Sequence, residues 1–211
     1  ATPGEAPLGL ERGRDGLIYL PAGLDPAVPA PLVVMFHGAG GNARQSIDIV
    51  RATADRNGFV VLAPDSRAAT WDVIHGGWGP DVDYVDRALR RVFERVAVDA
   101  EQVVAAGFSD GASYALSIGL ANGDLFSRIV AFSPGFAAPP AQLRRPSVFV
   151  SHGRADDVLP IDRTSRRVVP SLERAGYQVR YVEFAGGHSV PPDVLAEGLA
   201  LGQRLATGGG R

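Results

Sequence analysis

Short apolar runs alternate with longer amphipathic stretches along most of the chain, and this alternation is the feature that most constrains its fold. Several of the runs are rich in valine and apolar throughout, as strands buried on both faces of a sheet are. The stretches between them carry apolar residues at three- and four-residue spacing, which is typical of helices packed on one side. Such alternation predicts βαβ units, and therefore an α/β fold with a mostly parallel central sheet flanked by helices on both faces.

The predicted elements cover most of the chain without an internal repeat or a low-complexity linker. The predicted strands of the central sheet are 32–36, 59–63, 103–106, 129–132, 147–150 and 179–184. The predicted helices are 43–57, 82–96, 112–121, 161–175 and 193–205. A further run, 17–20, is predicted to add a strand at the edge of the sheet. We therefore expect one domain over residues 1–211, in which residues 1–14 form an extended N-terminal segment.

Composition excludes several classes of function. Hydrophobic residues make up 45% of the chain and charged residues 21%, which is typical of a globular protein rather than a disordered one. The formal net charge of −2 includes no basic excess that would suggest a nucleic-acid partner, and no run approaches the ~20 apolar residues of a membrane span. The absence of cysteine excludes disulfides, thiol catalysis and cysteine-ligated zinc. Oligomeric state stays open, and so does compartment: cytoplasmic, or secreted or periplasmic if a signal peptide preceded Ala1.

A G-x-S-x-G pentapeptide, residues 107–111, lies between the predicted strand 103–106 and the predicted helix 112–121. In this context Ser109 occupies a sharp turn whose glycines leave room for the crowded backbone, with its hydroxyl exposed above the sheet. The N-terminus of the following helix favours negative charge that develops there. The alternative is a glycine-rich turn in which the serine only caps the helix. The strand before the motif and the helix after it favour a nucleophile.

A serine nucleophile needs a base, and the order of the chain singles out one histidine. In sheets that carry a serine on such a turn, the base follows the last strand and an acid precedes it. Of the four histidines, His188 fits that position, and the alternative is a loop histidine that caps a helix. Asp156 and Asp157 both follow the strand 147–150, and either could hold the imidazole in one tautomer. Physical argument does not choose between them, and one of the two could simply cap a turn.

A glycine-rich loop, residues 37–42, follows the strand 32–36 and can present main-chain N–H groups to an oxyanion. The second N–H of such a site comes from the residue after the nucleophile, which is Asp110. Only the amide of Asp110 would be used, so its carboxylate has to point away from the oxyanion. The alternative is a phosphate-binding loop, but G-x-G-x-x-G is not matched and the chain contains no lysine for a P-loop.

These motifs together resemble the α/β-hydrolase-fold serine esterases, and in particular the phospholipase/carboxylesterase family and the polyhydroxybutyrate-depolymerase-like esterases. The resemblance runs from about Asp15 to about Leu205. Residues 152–156 are similar to the H-G-x-x-D motif of that family, which implies that Asp156 is the acid. The same resemblance assigns the first oxyanion amide to the residue after His37-Gly38, which is Ala39. The family usually has Gln where this chain has Asp110, a difference that matters little if the backbone amide does the work.

Aromatic residues on the predicted functional face suggest where a substrate would bind. The loop 70–80 contains Trp71 and Trp78, which can form pocket walls or simply pin the loop to the body of the protein. Phe136, after the strand 129–132, can line an acyl pocket or anchor its turn. No insertion is long enough to form a large lid, which favours small soluble esters over long-chain lipids.

The sequence therefore predicts a serine esterase that hydrolyses short- to medium-chain carboxylic esters through an acyl-enzyme, with Ser109, His188 and Asp156 as its triad. No metal or organic cofactor is implied. The same triad serves a polyester (hydroxyalkanoate) depolymerase, a feruloyl-type esterase, a thioesterase and a peptidase, because fold and triad do not fix the substrate. Depolymerases that act outside the cell commonly carry cysteines and a binding domain, neither of which occurs here. A non-catalytic ligand-binding relative is the alternative from a different class.

Overall fold

A computed structural model of the protein describes residues 2–201. Its centre is an eight-stranded sheet in the order β1-β2-β4-β3-β5-β6-β7-β8. The strands are β1 (Gly4–Pro7), β2 (Gly16–Leu20), β3 (Ala30–Phe36), β4 (Val60–Pro64), β5 (Val98–Phe108), β6 (Arg128–Phe132), β7 (Ser147–Gly153) and β8 (Val179–Phe184). The first two strands are antiparallel to their neighbours, and the other six are parallel. The predicted α/β fold with a mostly parallel sheet is confirmed.

Helices cover both faces of this sheet. The α-helices are α1 (Ala43–Asn57), α2 (Pro80–Arg95), α3 (Asp110–Ala121), α4 (Ser165–Arg174) and α5 (Pro192–Gly198), and two 3₁₀-helices cover Asp72–His75 and Ile161–Arg163. Alternate side chains of each central strand face opposite layers. In β3, Leu32 and Val34 pack towards α2, α3 and α4, whereas Val33 and Met35 pack towards α1 and α5. This double burial explains why these strands contain uninterrupted apolar runs.

Differences from the predicted elements lie mainly at the two ends of the sheet. The run 17–20 was predicted as an edge strand, but β2 lies between β1 and β4, and β1 forms the edge. The short, polar sequence of β1 carries no alternating apolar pattern, so periodicity could not reveal it. The predicted helix 161–175 is divided into a 3₁₀-turn and α4, and α5 ends at Gly198. The end of the predicted helix 193–205 lies outside the described residues, so a single domain over 1–211 stays a prediction.

The parallel strands bring their carboxyl ends to one edge of the sheet, where ligand sites form in folds of this kind. The loops after β3, β5, β7 and β8 all emerge there. The connection from β6 to β7, residues 133–146, contains no helix, so the predicted absence of a large lid is confirmed for the described residues. A membrane-spanning helix is not found within residues 2–201, where every helix is too short or too polar.

Candidate active site

Ser109 occupies a strained turn between β5 and α3. Its backbone has φ 58° and ψ −122°, a conformation that L-residues rarely adopt and that is stabilised here by its surroundings. The Ser109 N–H donates to the carbonyl of Phe132 at 2.9 Å. A Cβ added to Gly107 would lie 2.2 Å from the Gly111 carbonyl oxygen, so strand and helix approach at a distance that only glycine allows. The turn therefore fixes the direction of the serine side chain.

The loops after β7 and β8 bring an acid and a base to this serine. His188 Nε2 lies 2.8 Å from Ser109 Oγ, and His188 Nδ1 lies 2.6 Å from Asp156 Oδ2. With the proton on Nδ1 and directed at the carboxylate, Nε2 is free to accept the hydroxyl proton of Ser109. Asp157, the other candidate acid, is exposed, whereas the Asp156 side chain is fully buried. The structure thus brings together the three predicted triad residues and leaves Asp157 outside.

The surroundings of Asp156 keep its carboxylate charged and fixed. Burial by itself raises the pKa of Asp156, but the hydrogen bonds from His188 and from the Leu159 amide outweigh burial and hold this pKa below its ordinary value. The amides of Val158 and Leu159 both donate to Oδ1, at 3.0 and 2.8 Å. One oxygen is therefore held by the backbone and the other faces the imidazole. This arrangement can stabilise the imidazolium that forms when His188 takes a proton.

His152, the first residue of the predicted H-G-x-x-D motif, is fully buried beside the acid. Its Nε2 lies 3.1 Å from Asp156 Oδ2 and 2.8 Å from the Leu159 carbonyl oxygen. Its Nδ1 lies 2.7 Å from Ser165 Oγ, at the start of α4. Burial lowers the pKa of His152, which favours a neutral ring. This histidine packs under the acid but does not reach Ser109, and so it is not a second base.

Two main-chain N–H groups, those of Ala39 and Asp110, are the predicted oxyanion donors: Asp110 directly follows the nucleophile, and Ala39 belongs to the loop after β3. Neither donates a hydrogen bond within residues 2–201, which leaves both available to a ligand. A Cβ added to Gly38 would lie 3.3 Å from the Ser109 Cβ, so the loop after β3 lies against the nucleophile. The Thr70 hydroxyl donates to Asp110 Oδ2 at 2.6 Å. This hydrogen bond holds the carboxylate of Asp110, whose charge has to stay away from an oxyanion.

The two tryptophans of the loop 70–80 differ in position. Trp71 is fully buried, stacks on Tyr114 with ring centroids 4.6 Å apart, and donates from Nε1 to the His37 carbonyl at 2.8 Å. The prediction that Trp71 walls a substrate pocket is therefore wrong, because its ring is used entirely in packing. Trp78 is 36% exposed, with its ring 6.1 Å from that of Tyr114. Its contact with substrate stays a prediction.

Phe136 lies in the connection from β6 to β7. It is half-buried and lines a cavity of about 350 Å³, together with Arg167 and Val168 of α4. No triad residue lines that cavity. Its predicted role in an acyl pocket stays a prediction, and in the structure it packs against the hydrophobic core.

A groove that the sequence did not predict begins at His188. It has a volume of about 390 Å³ and is lined by Phe108, His188 and Val190, together with Ile49 of α1 and Leu195 of α5. Small-molecule sites commonly have volumes of about 300–1,000 Å³. The Phe108 ring lies 4.7 Å from the His188 ring, centroid to centroid. The signal for Phe108 was its place in the pentapeptide, immediately before the serine. No cluster of metal-ligating side chains occurs within the part of the chain that the structure describes.

Comparison with known proteins places this site in a family. The family model described as phospholipase/carboxylesterase matches residues 82–198, more than half of the chain. Among curated proteins, the bifunctional acetylxylan esterase/xylanase XynS20E of Neocallimastix patriciarum is 33% identical over 156 residues, which cover 70% of this chain and 22% of that protein. Feruloyl esterase C of Emericella nidulans is 26% identical over 158 residues, covering 71% and 57%. The chain thus spans between about a fifth and three fifths of these relatives.

Solved structures of esterases share the fold. Esterase PE8 superimposes with a TM-score of 0.69 at 23% identity, covering 85% of this chain and 93% of that one. Esterase 2 of Thermogutta terrifontis, phosphorylated by paraoxon, gives a TM-score of 0.68 at 20% identity, covering 91% and 87%. Since the family match spans the helix before the nucleophile through the loop that carries His188, the chain belongs to the phospholipase/carboxylesterase family of α/β-hydrolases.

Proposed function

We propose that this protein is a serine esterase that hydrolyses short- to medium-chain carboxylic esters through an acyl-enzyme. The observation that carries the proposal is the pair of hydrogen-bond distances from His188, 2.8 Å to Ser109 Oγ and 2.6 Å to Asp156 Oδ2. These are the distances that a base needs in order to take a proton from its nucleophile while an acid orients it. Membership of the esterase family supports the same chemistry.

Each group of the site has a role in the proposed reaction. Ser109 Oγ attacks the ester carbonyl carbon, and its proton passes to His188 Nε2. The amides of Ala39 and Asp110 donate to the oxyanion, a contribution of roughly 2.7–4 kcal/mol for each donor in comparable sites. His188 then protonates the departing alcohol as the tetrahedral intermediate collapses to the acyl-enzyme. Water, activated by the same imidazole, attacks the acyl carbonyl and releases the acid.

Substrate size follows from the surroundings of the triad. No helix covers the site from the connection between β6 and β7, so a small soluble ester can approach directly. A second candidate substrate is an ester of an aromatic acid, which is favoured by the ring of Phe108 in the groove beside His188. The relative named feruloyl esterase C supports this candidate. Both candidates use the same triad and differ in what the groove accepts.

Hydrolysis of p-nitrophenyl acetate, butyrate, octanoate and palmitate, and of methyl ferulate, tests the proposal. The variants are Ser109→Ala and, as a matched control, Ser189→Ala, which removes an exposed hydroxyl next to the base. We expect the wild type and Ser189→Ala to hydrolyse the short esters and Ser109→Ala to fall to background. A wild type that is inactive on all five esters, or an active Ser109→Ala, would contradict the proposal and favour a ligand-binding protein. Preference for methyl ferulate would select the aromatic candidate.

A further inference from the structure

Arg14 belongs to the segment before β2, yet its side chain reaches beneath the loop that follows β3. Its Nε donates to the Ser66 carbonyl at 2.5 Å, and its Nη2 donates to the Gly41 carbonyl at 2.9 Å. The same Nη2 lies 3.3 Å from His37 Nε2. All these acceptors are neutral, and no carboxylate within residues 2–201 pairs with Arg14. The guanidinium therefore serves to hold main-chain and imidazole acceptors in place.

These contacts fix the tautomer of His37. The Ser66 N–H donates to His37 Nε2 at 3.0 Å, and Arg14 presents a second donor to the same nitrogen. Nε2 is therefore an acceptor without a proton, and the ring hydrogen lies on Nδ1. Burial, together with the charge of Arg14, lowers the pKa of His37 and keeps the ring neutral. His37 Nδ1–H then donates to the Gly38 carbonyl, 2.7 Å away.

The Gly38 carbonyl determines where the next amide points. It accepts from His37 and also from the Gly41 N–H, at 3.0 Å, which closes a four-residue turn with Gly40 at φ +68°. The peptide between Gly38 and Ala39 is planar and trans, so the Ala39 N–H points away from that carbonyl. Because the Gly38 carbonyl is held towards His37 and Gly41, the Ala39 N–H is held pointing in the opposite direction. Both groups belong to the loop that lies against Ser109.

We propose that Arg14 is a positioning residue for the oxyanion hole, acting through His37 and the Gly38 carbonyl to aim the Ala39 N–H. This inference rests on the proposed function, since it assigns the Ala39 amide to the transition state. Asp15 holds the segment that supplies the arginine, because its carboxylate accepts from the amides of Gly9, Leu10 and Glu11. The residues before β2 are therefore part of the active-site support.

Kinetics of Arg14→Met and Arg14→Lys test this role, with Arg12→Met as the matched control. Arg12 lies two residues away, is exposed, and forms no hydrogen bond or ion pair within the described residues. A donor that is misplaced by about 1 Å lowers rates by about 100-fold. We expect both Arg14 variants to lose about 10- to 100-fold in kcat at unchanged KM. A trifluoromethyl ketone, whose adduct places an oxyanion between the two amides, should lose affinity by the same factor.

Counting active sites separates positioning from simple unfolding. Stoichiometric titration with a fluorophosphonate gives the folded, reactive fraction of each variant, and kcat is corrected for it. An Arg14 variant with corrected kcat equal to that of Arg12→Met, or with unchanged ketone affinity, would overturn the inference while the esterase proposal stands. If the wild type neither hydrolyses esters nor reacts with the fluorophosphonate, the esterase proposal fails and this inference fails with it. Arg14→Lys keeps the charge, so it remains informative if Arg14→Met does not fold.

Discussion

Replacing Asp156 by Asn tests how the acid controls the base. The Oδ1 position faces two N–H donors, those of Val158 and Leu159, and so only an acceptor fits there. The amide oxygen of Asn must occupy that position, which turns its NH₂ group towards His188 Nδ1 at the place where Oδ2 now lies 2.6 Å away. Nδ1 then has to accept, and the ring proton moves to Nε2. A protonated Nε2 cannot take the proton of Ser109.

The expected loss is large because the side chain keeps its shape while the base takes the wrong tautomer. The same substitution in a Ser-His-Asp protease lowers kcat by about 10⁴-fold, which at about 1.36 kcal/mol for each tenfold step corresponds to about 5.4 kcal/mol. We expect a similar loss in kcat on p-nitrophenyl acetate. Asp157→Asn makes the same chemical change one residue away at an exposed position and should leave kcat unchanged. An Asp156→Asn enzyme within about tenfold of wild type, or an equal loss in Asp157→Asn, would refute the reasoning.

Three further predictions concern the turn, the oxyanion hole and stability at low pH. Gly111→Ala places a Cβ 2.1 Å from the main-chain carbonyl oxygen of Phe36, so its free energy of unfolding in urea should be lower by about 1–3 kcal/mol or more than that of Gly13→Ala, whose Cβ meets nothing within 4 Å. Equal stabilities of the two variants would count against this packing. Thr70→Val removes the hydrogen bond that holds the carboxylate of Asp110 and should lower kcat at unchanged KM, whereas Thr70→Ser should retain activity. Wild-type kinetics in the valine variant would show that the Thr70 hydroxyl has no role in the reaction. The side-chain hydrogen bond from Arg166 lowers the pKa of Glu183 from 4.5 to about 2, so the ion pair stabilises the folded protein fully above pH 4.5, and this stabilisation is lost as pH falls through about 2. Glu183→Gln should therefore weaken the pH dependence of Tm over that range, and an unchanged dependence would contradict the ion pair.

The sequence pattern was sufficient to predict those site residues that lie at fixed places in the fold. Ser109 follows from a pentapeptide between strand and helix, and His188 from its position after the last strand. Both depend on local sequence and chain order. Asp156 could be chosen over Asp157 only through resemblance to a family, because the two carboxylates are adjacent and chemically identical. In the structure they differ by burial, which no single-sequence pattern reports.

The side chains that support the site were beyond sequence reasoning for a physical reason. Trp71 was predicted to line a pocket because aromatic residues on a functional loop often do, but its ring is stacked in the core beneath His37. Arg14 carries no motif and belongs to a segment with no periodicity. Its contacts are with main-chain carbonyls and an imidazole far along the chain, and such contacts depend on the tertiary fold rather than on residue type.

Direct observation of the acyl-enzyme tests the central claim most closely. The protein is mixed with p-nitrophenyl acetate, quenched in acid within the first turnover, and analysed by intact mass and by peptide mapping. We expect one acetyl group for each active chain, on Ser109, and none in Ser109→Ala. Turnover of the ester without an adduct on Ser109, or with an adduct on another residue that persists in Ser109→Ala, would contradict it.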